Sequence, residues 1–447
     1  MKLLSFFGLL SILATNPNIE YTGRIDFSKA NAPQFSYSGV SIRASIDASS
    51  ASVILNDEKG ENLYAVIVDK VYTGKLKTTK GKSTYSLAEF QEKGMHEIEI
   101  VKITEEQFGK TAFLGFELGN DGEIVEIQNK RELLIEFIGN SITCGYGNED
   151  RIGHKFCAET ENHYMSYAAI TARSFNARAL VACKSGIGIY RNYAGPTEGN
   201  EDCMTNYYSR THLYEEKPKY NFNEQPDLVC INLGTNDFST PGYDTTRFID
   251  NYMNLIGQIQ TNYDRPEILC LTGCMLDGDA LEIAKRCINQ VVRQANALNK
   301  GNVYFFEMTP QDIKKNGLGV DFHPTVKQHI QSARQLIGYI SKLKEWDVDP
   351  QIVKAEVSGT NQITLYANDE ECLFTESLTD MIAIADGSEL HATDWLIDEN
   401  GAAMIIKFKE DISNVKNIEL QGDNNVNKLL RCKVSMNCPE TPETQNN

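Results

Sequence analysis

The sequence predicts a multidomain protein: an N-terminal β-sandwich of jelly-roll kind, a central α/β domain on a parallel sheet, and a small C-terminal all-β domain. Three observations carry this. Over residues 19–129, short runs such as SVILND, LYAVIVD and HEIEIVKIT alternate apolar and polar positions between Gly, Asp, Asn and Lys clusters, the period-two pattern of half-buried strands. Over residues 130–346, compact apolar runs alternate with segments whose apolar residues recur at three- and four-residue spacing, as strands alternating with amphipathic helices do. Over residues 347–436, strand-like runs return, divided by Gly, Asp and Asn turns.

Taken in order, residues 1–18 read as a secretory signal peptide: Lys2 precedes the run LLSFFGLLSILA, long enough for a signal's apolar core and too short to span a bilayer. A buried N-terminal strand or helix is the alternative. The first β region has many short strands, polar turns and no helical pattern, which favours an antiparallel sandwich. The central region offers the strands LLIEFI, ALVAC, DLVCINL, EILCLTG and VYFFEM. Between and after them lie the helices HYMSYAAITARSF, TTRFIDNYMNLIGQIQ, ALEIAKRCINQVVRQANAL and TVKQHIQSARQLIGYISKL. Right-handed crossovers make this a doubly wound, three-layer sheet whose reactive groups gather at the carboxyl ends of its strands. The polar residues 437–447, ending PETPETQNN, read as a disordered tail.

The hydrophobic share of 41% and charged share of 23% are those of a folding, soluble chain. With 43 basic against 61 acidic residues the formal charge is -18. That charge repels nucleic acid and anionic membranes, leaving neutral substrates as the better partners. Eleven cysteines occur with no CxxC pair, so neither a zinc site nor a dithiol redox motif is suggested. Export would permit disulfides, Cys157 with Cys203 or Cys432 with Cys438 among them.

Four short motifs fall at strand ends. GNSIT (Gly139 to Thr143) follows LLIEFI and puts Ser141 where the chain leaves the sheet; SGIGIYRN (Ser185 to Asn192) follows ALVAC; GTND (Gly234 to Asp237) ends the next strand; DFHP (Asp321 to Pro324) precedes the last helix. Each has a plain structural reading: a capping serine, a glycine turn, an Asx turn, a solvated histidine. Together they supply a nucleophile in Ser141 and a base in His323. The Asn236 amide is a neutral oxyanion donor, and the glycines let backbone amides approach a ligand. Asp321 is the candidate partner for the second imidazole nitrogen, and Pro324 suits the first turn of the following helix.

This constellation resembles the SGNH, or GDSL, hydrolases, with Ser141, Gly186, Asn236 and His323 matching the residues of four family blocks. Thr143 stands where the second glycine of a GxSxG elbow would be, so an ordinary lipase is disfavoured. The longer stretches GNSITCGYGN, SGIGIYRNY, INLGTND and DFHP, behind a β-sandwich, look like carbohydrate esterase family 2, over roughly residues 21–343. The resemblance implies an acetyl xylan esterase-like enzyme, secreted or periplasmic, acting on acetylated carbohydrate with neither metal nor organic cofactor. Ser141, Gly186 and Asn236 would form its oxyanion hole, and Arg191, Tyr190, Phe322 and Tyr146 would line its sugar cleft. In many SGNH enzymes the acid stands three residues before the histidine, where this chain has Val320. The family includes Ser-His dyads, so Asp321 is either acid or structural. A lipid esterase on the same scaffold and a non-catalytic carbohydrate-binding protein are the competing functions.

Overall fold

The computed structural model describes residues 10–298, 302–348, 352–367, 382–397, 403–413, 415 and 418–421. The expected tail, residues 1–9 of the expected signal segment, and Cys432 and Cys438 lie outside the described residues. Leu10–Leu13 forms a strand antiparallel to Thr111–Leu118, and Ala14 behind it is buried. Cys157 is exposed, Cys203 is buried, and neither is in a disulfide.

Residues up to Arg173 and from Ala177 to Leu343 make one compact unit. Its N-terminal part is a ten-stranded sheet organised by the long strands Ser41–Asp57 and Gly81–Lys102, which pair antiparallel along most of their length. The other edge of Ser41–Asp57 is shared by Glu20–Thr22, Glu123–Val125 and Thr111–Leu118. Register shifts between Ala48 and Ser50 and between Ala51 and Ser52 bend this strand, as extra residues in an antiparallel ladder do.

The second part is a five-stranded sheet in the order Arg178–Cys183, Leu134–Gly139, Leu228–Asn232, Ile268–Thr272, Val303–Glu307, parallel throughout. Leu134–Gly139, Leu228–Asn232 and Ile268–Thr272 are buried along their whole length, which is why they read as continuous apolar runs and not as alternating ones. The helices Thr245–Asn262 and Gly278–Ala297 pack together. Elsewhere Tyr167, which opens the helix Tyr167–Ser174, donates its N–H to His329 Nδ1 (3.2 Å) on the helix Val326–Lys344. Strand order reverses beside Leu134–Gly139, and a cleft at the carboxyl ends forms at such a switch point.

One apolar core joins the two parts, taking Phe35, Tyr37 and Phe116 from the β region together with Ile138, Ile187 and Ile231 from the α/β region. A buried ion pair crosses the same junction. Arg24 Nη2 donates to Glu136 Oε1 (3.0 Å) with both side chains fully buried, while Tyr208 OH donates to the other Glu136 oxygen at 2.8 Å. The guanidinium also donates to the Arg210 carbonyl (3.0 Å) and lies 4.6 Å from the Tyr220 ring centroid.

The second compact unit takes Ser174–Asn176 and everything from Lys344 on. Its described strands form two antiparallel sheets, of four and three strands, around Ile363, Leu365, Met404, Ile406 and Phe408.

Removing one partner of a buried pair leaves the other charge unpaired and costs about 3–5 kcal/mol. Burial already holds Glu136 above the usual carboxylate range in spite of Arg24. Arg24→Met should therefore lose about 3–5 kcal/mol at neutral pH. The deficit should shrink between neutral and mildly acidic pH, because burial raises Glu136 and, with Arg24 gone, nothing opposes its taking up a proton. Urea unfolding at both pH values measures this, and an unchanged midpoint at neutral pH would sink the account.

Candidate active site

Ser141 is set by a turn that tolerates few substitutions. The Asn140 side chain accepts the Ile142 N–H (3.0 Å) and caps the single helical turn Ser141–Cys144. A Cβ on Gly139 would sit 2.0 Å from Thr143 Oγ1, so the chain passes only as glycine. Ser141 is thereby held at the carboxyl end of Leu134–Gly139 with its backbone N–H in the first turn, where no intrahelical acceptor exists.

His323 Nε2 lies 2.8 Å from Ser141 Oγ. The other ring nitrogen, Nδ1, is 3.1 Å from each of two backbone carbonyl oxygens, those of Val320 and Asp321. Carbonyls only accept, so Nδ1 carries the proton and Nε2 presents its lone pair to the serine hydroxyl. Burial lowers the imidazole below 6.5, partly opposed by the two carbonyls and then by Asp321 and Glu105. The carbonyls converge because Asp321 (φ 49°) and Phe322 (φ 66°) are both left-handed, which curls the backbone around its own histidine.

The Asp321 carboxylate points elsewhere. Its Oδ2 accepts from Tyr146 OH at 2.8 Å. Tyr146 stacks on Phe156 with ring centroids 3.7 Å apart and packs against the imidazole at 4.4 Å. Asp321 thus braces the loop through Tyr146; of the two roles left open for it, the geometry is that of the structural one and not of the acid. Pro324 is corrected: the helix begins at Val326, and Thr325 Oγ1 accepts the Gln328 N–H (3.3 Å) as its cap.

The loop after Arg178–Cys183 is tied down amide by amide. Lys184 N–H goes to the Gly139 carbonyl, Ser185 to Glu105, Ile187 to the Lys184 carbonyl, and Gly188 to Asn192. Ile189, Tyr190 and Arg191 all donate to the Asp237 carboxylate at 3.0–3.1 Å, and Asn192 donates to Asn200. Among the described residues Gly186 N–H alone in this stretch has no acceptor, and its φ of +77° is one that side-chain-bearing residues rarely adopt. Asn236 Nδ2 donates to the Ile187 carbonyl (2.7 Å), leaving its second hydrogen for another acceptor.

Beyond this geometry, residues 21–127 match the family Carbohydrate esterase 2 N-terminal, and residues 135–336 match GDSL-like Lipase/Acylhydrolase. A family two carbohydrate esterase from Clostridium thermocellum, solved in complex with cellohexaose, superposes with a TM-score of 0.69 at 37% identity, covering 73% of this chain and 99% of that one. The chain belongs to carbohydrate esterase family 2. Cellulase/esterase CelE of Acetivibrio thermocellus is 38% identical over 74% of this chain; the chain spans 40% of CelE. An acetylxylan esterase / glucomannan deacetylase of Cellvibrio japonicus is 25% identical over 75% of this chain and 92% of its own length.

Two residues expected to line a family 2 sugar cleft are interior ones. Arg191 is 4% exposed, and its guanidinium donates to the carbonyls of Gly195 (2.7 Å), Thr240 (3.0 Å) and Pro241 (2.8 Å) and to Thr240 Oγ1 (3.0 Å). It knits two loops and has nothing left for a sugar. Tyr190 is 3% exposed with its hydroxyl accepting the Asp244 N–H. Phe322, in contrast, is 61% exposed beside the catalytic loop, and Tyr146 reaches the imidazole. Sequence reasoning missed Asp237, which follows Asn236 directly and seats three amides; a carboxylate buried in GTND was the available signal. Burial raises its pKa to about 6, and the amide bonds pull it back down.

Replacing a triad acid by its amide lowers turnover about 10⁴-fold. Because the Asp321 carboxylate serves Tyr146, Asp321→Asn, which tolerates the left-handed backbone, should keep kcat within about tenfold of wild type. Steady-state kinetics on a chromogenic acetate ester measures this, and a thousandfold loss would restore Asp321 as the acid.

Proposed function

We propose that this family 2 chain is an exported serine esterase that removes O-acetyl groups from polysaccharide through an acetyl-Ser141 intermediate. The observation that carries the reading is the 2.8 Å contact between Ser141 Oγ and an imidazole nitrogen whose lone pair is free to accept. Its relatives' names, acetylxylan esterase and glucomannan deacetylase, support acetylated hemicellulose as the substrate class. The long paired strands of the N-terminal sheet fit a jelly roll, and we read the strands after Lys344 as an appended all-β domain.

In this mechanism His323 Nε2 takes the Ser141 proton as Oγ adds to the acetyl carbonyl carbon. The tetrahedral oxyanion is met by the N–H groups of Ser141 and Gly186 and the free Asn236 amide hydrogen. As the adduct collapses, the imidazolium gives its proton to the departing sugar oxygen, leaving acetyl-Ser141. A water, deprotonated by the same nitrogen, then attacks the acetyl carbon; as this second adduct collapses the imidazolium returns the proton to Ser141 Oγ and acetate leaves. The two carbonyls at Nδ1 keep the ring oriented throughout. Phe322 offers an exposed aromatic face on which a sugar ring can stack.

Acetate release from acetylated xylan, compared with hydrolysis of long-chain esters, tests the reading. Ser141→Ala and His323→Ala should each lower kcat by about 10³-fold or more. The base works unprotonated and burial lowers it from 6.5. Wild-type kcat/KM should thus rise with pH through a midpoint below 6.5 and then level off. Retained activity in Ser141→Ala, or a preference for long acyl chains, would overturn the proposal.

A further inference from the structure

Glu105 belongs to the β region, yet its side chain ends in the α/β region's reactive loop. It is 4% exposed. Its Oε2 accepts the Ser185 N–H at 2.6 Å, and its Oε1 accepts the Ser185 hydroxyl and, at 3.5 Å, Gln107 Nε2. Behind it stands a second buried carboxyl group, Glu161, whose Oε2 accepts the Glu105 N–H at 2.9 Å. Lys102, buried too, donates Nζ to the carbonyls of Thr104 and Glu105. Burial and the nearby Glu105 push Glu161 well above the usual carboxylate range, and burial pulls Lys102 down to about 8. Holding such a cluster out of water carries a desolvation cost, large for anchoring one serine on a loop.

What that serine adjoins accounts for the arrangement. Ser185 immediately precedes Gly186, whose N–H lacks an acceptor, and on the other side Asp237 seats the amides of Ile189 to Arg191. Two buried carboxylates thus bracket the free amide, one from each part of the unit. We infer that Glu105 is a positioning residue of the oxyanion hole, fixing the Gly186 N–H through Ser185, so that the β region is part of the catalytic apparatus. The inference rests on the esterase reading above.

The same geometry separates this role from simple packing. A misaimed donor weakens the transition state and leaves ground-state binding alone, so kcat should fall while KM holds. Glu105→Gln replaces one of the two accepting oxygens by an NH₂ donor and removes the charge; kcat for a chromogenic acetate should drop about 10- to 100-fold with KM within about twofold. Ser185→Ala removes the hydroxyl link alone and should lower kcat about three- to tenfold. The double variant should be no slower than Glu105→Gln, since both act along one path. Circular dichroism melting checks that each variant is folded. If Glu105→Gln fails to fold, Ser185→Ala decides: a kcat loss at constant KM supports the role, and an unchanged kcat overturns it. A kcat for folded Glu105→Gln within about twofold of wild type, a change in KM alone, or multiplicative effects in the double variant would also overturn it. Wild type that releases no acetate removes the esterase reading and this inference with it, whereas active wild type with indifferent variants removes the inference alone.

Discussion

His323 Nδ1 is held by the carbonyl oxygens of Val320 and Asp321, each 3.1 Å away, and these two bonds make Nε2 an acceptor for Ser141. The rest of the site depends on them. Were Nδ1 free, the ring could take either tautomer, and the form with Nε2–H would meet the serine hydroxyl as a donor and could not deprotonate it. The short helical turn, the glycine loop and the aromatic packing of Tyr146 place groups around that nitrogen, but the tautomer decides whether the placement is productive.

Orientation by carbonyls has electrostatic consequences that a carboxylate would not have. A carboxylate at Nδ1 would favour the imidazolium strongly and raise the base's pKa; two carbonyl dipoles do so more weakly, and burial then dominates and lowers it. The histidine is consequently unprotonated at neutral pH, but it is a weaker base when the proton arrives. The deficit in imidazolium stabilisation is offset in part by charge from Asp321 and Glu105. This division of labour explains how a site without a carboxylate on the ring is still surrounded by acidic groups, and it fits a chain whose acidic residues outnumber its basic ones by 61 to 43.

The legible part of this arrangement was local. Apolar runs and helical spacing located the strands Leu134–Gly139, Leu228–Asn232 and Ile268–Thr272 to within a residue or two, because strands buried on both faces leave unbroken apolar text. Ser141 and His323, which lie 2.8 Å apart, stand out because one follows a strand and the other precedes a helix, whereas Gly186 and Asn236 are singled out by the family resemblance. What failed depended on backbone angles or distant partners. Asp321 two residues before the histidine looks like an orienting acid until consecutive left-handed residues turn its carbonyl, and not its carboxylate, toward the ring. Arg191 and Tyr190 look like cleft residues until Asp237 pulls their amides inward. Glu105 is 80 residues from Ser185, with no local pattern to announce it.

The left-handed pair also bears on why the β region and the α/β region share one core. Residues held in such conformations cost about 1–3 kcal/mol each and persist where surrounding structure over-determines them. Here the constraints are identifiable: Gly319 N–H donates to the His323 carbonyl (2.8 Å), Val320 N–H to the Gly147 carbonyl (3.0 Å), Gln311 Nε2 to the Phe322 carbonyl (3.1 Å), and Tyr146 OH to the Asp321 carboxylate. Tyr146 is in turn stacked on Phe156, and Phe156 packs against Phe108 of the β region, ring centroids 6.0 Å apart. The histidine loop is therefore braced from the β region by aromatic packing just as the glycine loop is reached from it by Glu105. Both halves of the proposed chemistry, the base and the oxyanion donors, lean on the same neighbouring segment, Glu105 to Phe108. A sheet that served as a detachable sugar-binding module would have no physical reason to carry both contacts; one that completes the site does.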